Sequence, residues 1–144
     1  MVDDRPRPHV DDASVSGSRR VLARSRVSMS PATAKRVASN EMAKGDVLGT
    51  ARFAGIQAAK EADSYLPLCD PVAQVHVLVD FTVGDGFIDV LVSGGHGGDP
   101  APRLQSLTAA TAAALTIYDM CKSVDRTMVI GPVELAIESE SPES

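Results

Sequence analysis

The sequence predicts an α+β domain in which helices cover one face of an antiparallel sheet. Three observations carry that prediction. Val75, Val77, Val79, Phe81 and Val83 alternate strictly with Gln74, His76, Leu78, Asp80 and Thr82, which is the two-residue period of a half-buried strand. Gly84-Asp85-Gly86 then turns the chain into a second apolar run, so the pair reads as a hairpin. Helical patterns stand on both sides of the hairpin, and a short apolar strand pattern closes the chain.

In order, residues 1–18 are rich in Asp, Pro, Arg, Ser and Gly and read as a loosely ordered arm. Arg24 to Ser30 alternates around Val27 and Met29, a weak strand signal. Ser30-Pro31 opens a helix that should end near Asn40, because Ser suits the N-cap and Pro the first helical position. Asp46 caps a second helix from Val47 to about Ala62, whose small face would let another element come close.

Leu66 to Pro71 contains two prolines and must be a stiff loop. After it come the hairpin strands, the second with Ile88, Val90 and Val92 inward and Asp89 and Ser93 outward. Gly94 to Pro100 reads as a flexible connection. The longest helix runs from Pro102 to Lys122, with an apolar stripe of Leu104, Leu107, Thr111, Ala114, Leu115 and Tyr118. Thr127 to Ile137 forms the last strand, with Pro132 at a bulge or an edge. The domain therefore spans residues 19–137, and 138–144 form an acidic tail.

Composition narrows the function. The 144 residues include three Phe, two Tyr and no Trp, so Val, Leu, Ile, Ala and Met must build the core. No run approaches the roughly 18 apolar residues of a membrane span. The charged, Pro-bearing start lacks a secretory apolar segment, so a cytoplasmic protein is expected. Cys69 and Cys121 have no C-x-x-C spacing and read as reduced structural thiols. Net charge is −5, divided into +4 over residues 1–44 and −9 over the remainder. The basic segment has no aromatics to stack bases and no nucleic-acid-binding motif, so no nucleic acid partner is expected.

Few residues carry chemistry by spacing alone. Asp119 and Lys122 are three apart on one helix face and read equally as a surface ion pair. Lys44 precedes a helix start, an anion-binding position that also suits a solvated lysine. Asp70 and Cys69 sit in the stiff loop, where Asp70 serves function or an Asx turn. The Gly94 to Gly98 run lacks the phosphate-loop pattern. His9, His76 and His96 have no partners at metal-ligand spacing, and no metal is expected.

Longer blocks are informative together. Lys44 to Lys60 (KGDVLGTARFAGIQAAK), Leu66 to Pro71 (LPLCDP), Leu107 to Lys122 (LTAATAAALTIYDMCK) and Met128 to Val133 (MVIGPV) resemble, in order, blocks of the cyclic pyranopterin monophosphate synthases of molybdenum cofactor biosynthesis. With the strand that follows, they span roughly two thirds of the chain. The resemblance implies a ferredoxin-like sandwich and a dimer-built hexamer with sites at subunit boundaries. It implies no cofactor and a nucleotide-derived triphosphate substrate. The family's lyase reaction turns cyclised dihydroguanosine triphosphate into cyclic pyranopterin monophosphate and pyrophosphate.

Carried over by position, the resemblance makes Lys44, Asp119 and Lys122 the catalytic set. It places Cys69, Asp70, Arg103 and Gln105 at the substrate, and Arg19 or Arg20 on phosphate, which an arginine fork suits. Departures accompany it. Asp70 stands where the family has His, Arg103 and Gln105 where it has two acids, and Glu138 where it usually has Lys. Three functions follow. The preferred one is an active lyase on the family substrate or a close analogue, supported by the catalytic set. A catalytically impaired paralogue co-assembling with a true synthase would explain the departures. A divergent enzyme on another nucleotide or pterin would make Arg103 a new anion contact.

Overall fold

The computed structural model describes residues 19–71, 75–96 and 102–140; the side chains of 19, 20, 96 and 137–140 lie outside that description. So do the N-terminal arm with His9, Gln74, the connection at 97–100 and the last four residues. The elements are β1 (Arg19–Ser28), α1 (Pro31–Ala38), α2 (Val47–Glu61) with a single 3-10 turn after it, β2 (His76–Gly84), β3 (Phe87–His96), α3 (Arg103–Cys121) and β4 (Val129–Glu140). The four strands lie in the order β2-β3-β1-β4, all neighbours antiparallel. This is the ferredoxin-like arrangement, with the helices on one face.

Local chemistry sets the boundaries. Ser30 caps α1 by accepting from the Thr33 N–H at 3.2 Å, and Pro31 follows it. Asp46 caps α2 by accepting from the Gly49 N–H at 3.0 Å. β1 starts at Arg19, earlier than its weak alternation suggested, because pairing on both sides by β3 and β4 extends it. β4 continues to Glu140, three residues beyond the expected strand, on that same pairing. Its register slips between Ser25 and Val27 of β1, where Gly131-Pro132 sits, so Pro132 occupies both a bulge and an edge strand.

The expected apolar stripe of α3 is corrected. Its buried face is Gln105, Ser106, Ala109, Ala110, Ala113, Ala114, Ile117, Met120 and Cys121, while Leu104, Leu115 and Tyr118 are exposed. Close packing explains this. A Cβ on Gly55 of α2 would stand 3.0 Å from the Ala109 carbonyl oxygen. Only small side chains fit between backbones that near, so the leucines turn outward. Ser25 of β1 adds a buried hydrogen bond to the Ala110 carbonyl at 2.8 Å.

Asp89 does face away from the helices, yet it is only 7% exposed. Arg26, opposite it on β1, covers it through bonds of 2.6 and 3.0 Å while stacking 4.0 Å from the Phe87 ring centre.

Asp125, after α3, is a buried latch. Its carboxylate accepts from Ser30 N–H at 2.9 Å and from Thr127 N–H and Oγ1 at 2.8 and 2.6 Å. Burial alone would push its carboxyl up. The bonds from Thr127, Ser30 and Thr33 outweigh that and hold it well below the ordinary carboxylate range. A depressed folded-state value stabilises the fold above the unfolded value and is lost as pH falls. Asp125→Asn should therefore cost about 2–4 kcal/mol in urea unfolding at neutral pH. The two proteins should converge as pH drops below about 4; a constant difference at all pH values would contradict the latch.

Candidate active site

The fold sets Lys44, distant in sequence, where its charge reaches the Asp119–Lys122 pair at the end of α3. α3 ends with Asp119 one turn before Lys122, and the Lys122 ammonium donates to Asp119 Oδ1. Lys44 enters from the segment before α2. There Gly45 takes φ +111, a left-handed conformation that suits glycine, and delivers the chain into the Asp46 cap. The Asp119 carboxyl is held below its usual range by the Lys122 hydrogen bond, then by the Lys122 charge, with the Lys44 charge adding. Asp119 is thus a carboxylate bonded to Lys122 and within reach of the Lys44 charge.

This cluster opens to solvent: the Lys122 and Asp119 side chains are 53% and 67% exposed. A groove of about 500 Å³ runs beside them, lined by Ala112, Leu115, Thr116, Tyr118, Asp119 and Lys122. Leu115 and Tyr118, expected in the core, are walls of this groove. Their spacing before Asp119 on the helix was the available signal. The charge of Arg36 of α1, like that of Lys44, reaches the Cys121 thiol, which burial and Asp125 push up.

The proposed substrate-binding residues gather elsewhere. Cys69, Asp70, Arg103 and Gln105 line a second pocket of about 360 Å³ with Leu68, Leu104, Leu107 and Leu135. Gln105 is buried, and its Nε2 donates to the Asp70 carbonyl at 3.1 Å and to Cys69 Sγ at 3.4 Å. Burial pushes the Cys69 thiol up, and the charges of Asp63 and Asp70 add to it, so it stays protonated at neutral pH. The Gly94 backbone of β3 lies against Ser106 in the first turn of α3, and Gly95 pairs with Arg20. The backbones of Arg19 and Arg20, and of Glu138 opposite Val21, are therefore at this same end.

The two groups occupy opposite ends of α3. Fourteen residues separate Gln105 from Asp119, about 21 Å along the helix axis. Within one chain they do not form a single site. Among the described residues no group of His, Cys, Asp and Glu is arranged to hold a metal ion, and no helix is long and apolar enough to cross a membrane.

Residues 10–140 match the MoaC family. The cyclic pyranopterin monophosphate synthase of Roseiflexus sp. (strain RS-1) is 45% identical over 123 residues, which is 84% of this chain and 78% of that protein. The protein of the same name from Desulforapulum autotrophicum is 40% identical over 138 residues, 93% of this chain and 85% of its own. That from Heliobacterium modesticaldum is 38% identical over 92% of this chain and 86% of its own. Among solved structures, a de novo designed protein with a ferredoxin fold aligns with a TM-score of 0.42 at 12% identity, covering 87% of this chain and 91% of its own.

The electrostatics of the cluster are testable by NMR titration of the Asp119 carboxyl. Lys122→Met should move its pKa upward, and Lys44→Met should move it upward by less, because only Lys122 donates a hydrogen bond to it. Equal shifts, or none from Lys122→Met, would contradict the described geometry.

Proposed function

Because the chain belongs to the MoaC family, we propose that it is a cyclic pyranopterin monophosphate synthase, a lyase of molybdenum cofactor biosynthesis. Its substrate would be 3',8-cyclo-7,8-dihydro-GTP and its products cyclic pyranopterin monophosphate and pyrophosphate. The observation that carries this reading is the Asp119–Lys122 pair at the end of α3, with the Lys44 charge reaching it. Forming a cyclic monophosphate from a triphosphate requires a substrate hydroxyl to attack the α-phosphorus while pyrophosphate leaves. Two ammonium groups suit the growing negative charge of that departure. A lysine that gives up its proton can take the proton of the attacking hydroxyl. Asp119 holds Lys122 in place through their hydrogen bond.

Both lysines need a drier setting than one chain gives them. The separation of the two ends of α3 suggests its source. One chain would offer Lys44, Asp119 and Lys122. A neighbour would offer the Cys69–Asp70 loop, Arg103, and Arg19 or Arg20 for phosphate. That arrangement agrees with a dimer-built hexamer, and exposed Leu104, Leu115, Tyr118 and Phe53 supply apolar surface that such an assembly would cover. A free nucleotide substrate accords with a cytoplasmic location. Asp70, Arg103, Gln105 and Glu138 then stand as variations within a working site. A non-catalytic partner role is not favoured, since the relatives similar over most of the chain bear the synthase name.

Lys44→Ala and Lys122→Ala should each lower turnover at least a hundredfold without changing the unfolding midpoint. The measurement is formation of cyclic pyranopterin monophosphate and pyrophosphate by purified protein. A rate unchanged in either variant would remove that lysine from the site. Sedimentation should show an assembly built from dimers, and a fully active monomer would rule out the shared site.

A further inference from the structure

We propose that Gln105 is a positioning residue: its amide tethers the Leu66–Pro71 loop to α3 and so fixes where Asp70 and Cys69 stand at the pocket. The inference rests on the synthase reading for its catalytic consequence, and on geometry for the tether itself. Gln105 is 5% exposed in the first turn of α3, so little of it remains for a substrate to touch. Its Nε2 is engaged by the loop, donating to the Asp70 carbonyl at 3.1 Å and to Cys69 Sγ at 3.4 Å.

The loop needs such a tie. Pro67 and Pro71 have no N–H to offer, and the Cys69 N–H is spent inside the loop on the Leu66 carbonyl at 3.0 Å. Leu68, Asp70 and Pro71 are exposed, so little apolar burial anchors the segment. Cys69 alone points inward, at 7% exposure, and its thiol also leans on the Asp70 carbonyl at 3.8 Å.

The residue type matters. A carbonyl oxygen only accepts, so the group facing it must donate. An amide does so at every pH. An ionised carboxylate of the same shape would face that oxygen with no proton, leaving the buried side chain without this bond. A protonated carboxyl could still donate once. Gln105→Glu thus converts a permanent tether into one that releases as pH rises, and burial places that release above the ordinary Glu range. Gln105→Leu removes the donor at every pH.

Two measurements on the full chain separate this role from others. The first is the iodoacetamide alkylation rate of Cys69, mapped by peptide mass spectrometry across pH, with fully buried Cys121 as the internal reference for global opening. The second is kcat/KM across the same range. Relative to the parent, Gln105→Glu should alkylate Cys69 at a similar rate at acid pH and about tenfold or more faster at alkaline pH, with Cys121 unchanged. Gln105→Leu should be faster throughout. kcat/KM of Gln105→Leu, which opens Cys69 at every pH, should fall by about tenfold to a hundredfold, the scale of an ångström of misplacement.

Unchanged Cys69 reactivity in both variants overturns the tether. Lost activity with unchanged Cys69 also overturns it, and makes Gln105 a direct substrate contact. If Gln105→Glu unfolds, shown by Cys121 reacting too, Gln105→Leu decides by the same comparison. A parent without synthase activity whose Cys69 still responds would uphold the tether and refute the synthase reading instead.

Discussion

The close seating of α3 is the constraint on which the rest of the molecule depends. Its alanine face lies against α2 and the sheet at a distance that Gly55 and Ala109 permit and larger residues would not. Buried Ser25 fixes the helix laterally on β1, and the Asp125 latch fixes the chain just beyond its C-terminal end to Ser30. A helix held in this way carries its two ends as rigid brackets. One bracket presents Asp119 and Lys122; the other presents Gln105 and, through it, the Cys69–Asp70 loop.

That seating has an electrostatic consequence. Lys122 and Asp119 pair on an open surface, where water screens them and charge interactions are weak. Interactions among such groups strengthen where water is excluded. The exposed leucines and Tyr118 of α3 lie on the outward side of the helix that carries the cluster. Small inward residues and large outward ones are thus two results of one packing decision. The helix sits deep on its own sheet, and its bulky groups face outward.

Much of the fold was legible because local rules govern it. Ser30-Pro31, Asp46 and the Gly84–Gly86 turn placed helix starts and a hairpin to within a residue or two, since caps and turns act over four residues. The Val75 to Val83 alternation reported its own burial for the same reason. The α3 stripe was misread because hydrophobicity ranks leucine above alanine, whereas the space available is set by elements distant in sequence. Asp89 reads as an ordinary outward carboxylate until the β1–β3 register puts Arg26 across from it.

The candidate site divides along the same line. The sequence by itself determined the kinds of group present: the Lys44 block, the Asp119–Lys122 pair on one helix face, and a proline-stiffened loop bearing Cys69 and Asp70. These are properties of residue type and short spacing. Only the tertiary structure decided which of them meet. It set Lys44 where its charge reaches Asp119, separated Asp119 from Asp70 and Gln105 by the length of α3, and bonded Gln105 to the loop backbone. Such distances depend on how helices and strands pack, and packing is a sum over neighbours that no local stretch of sequence contains.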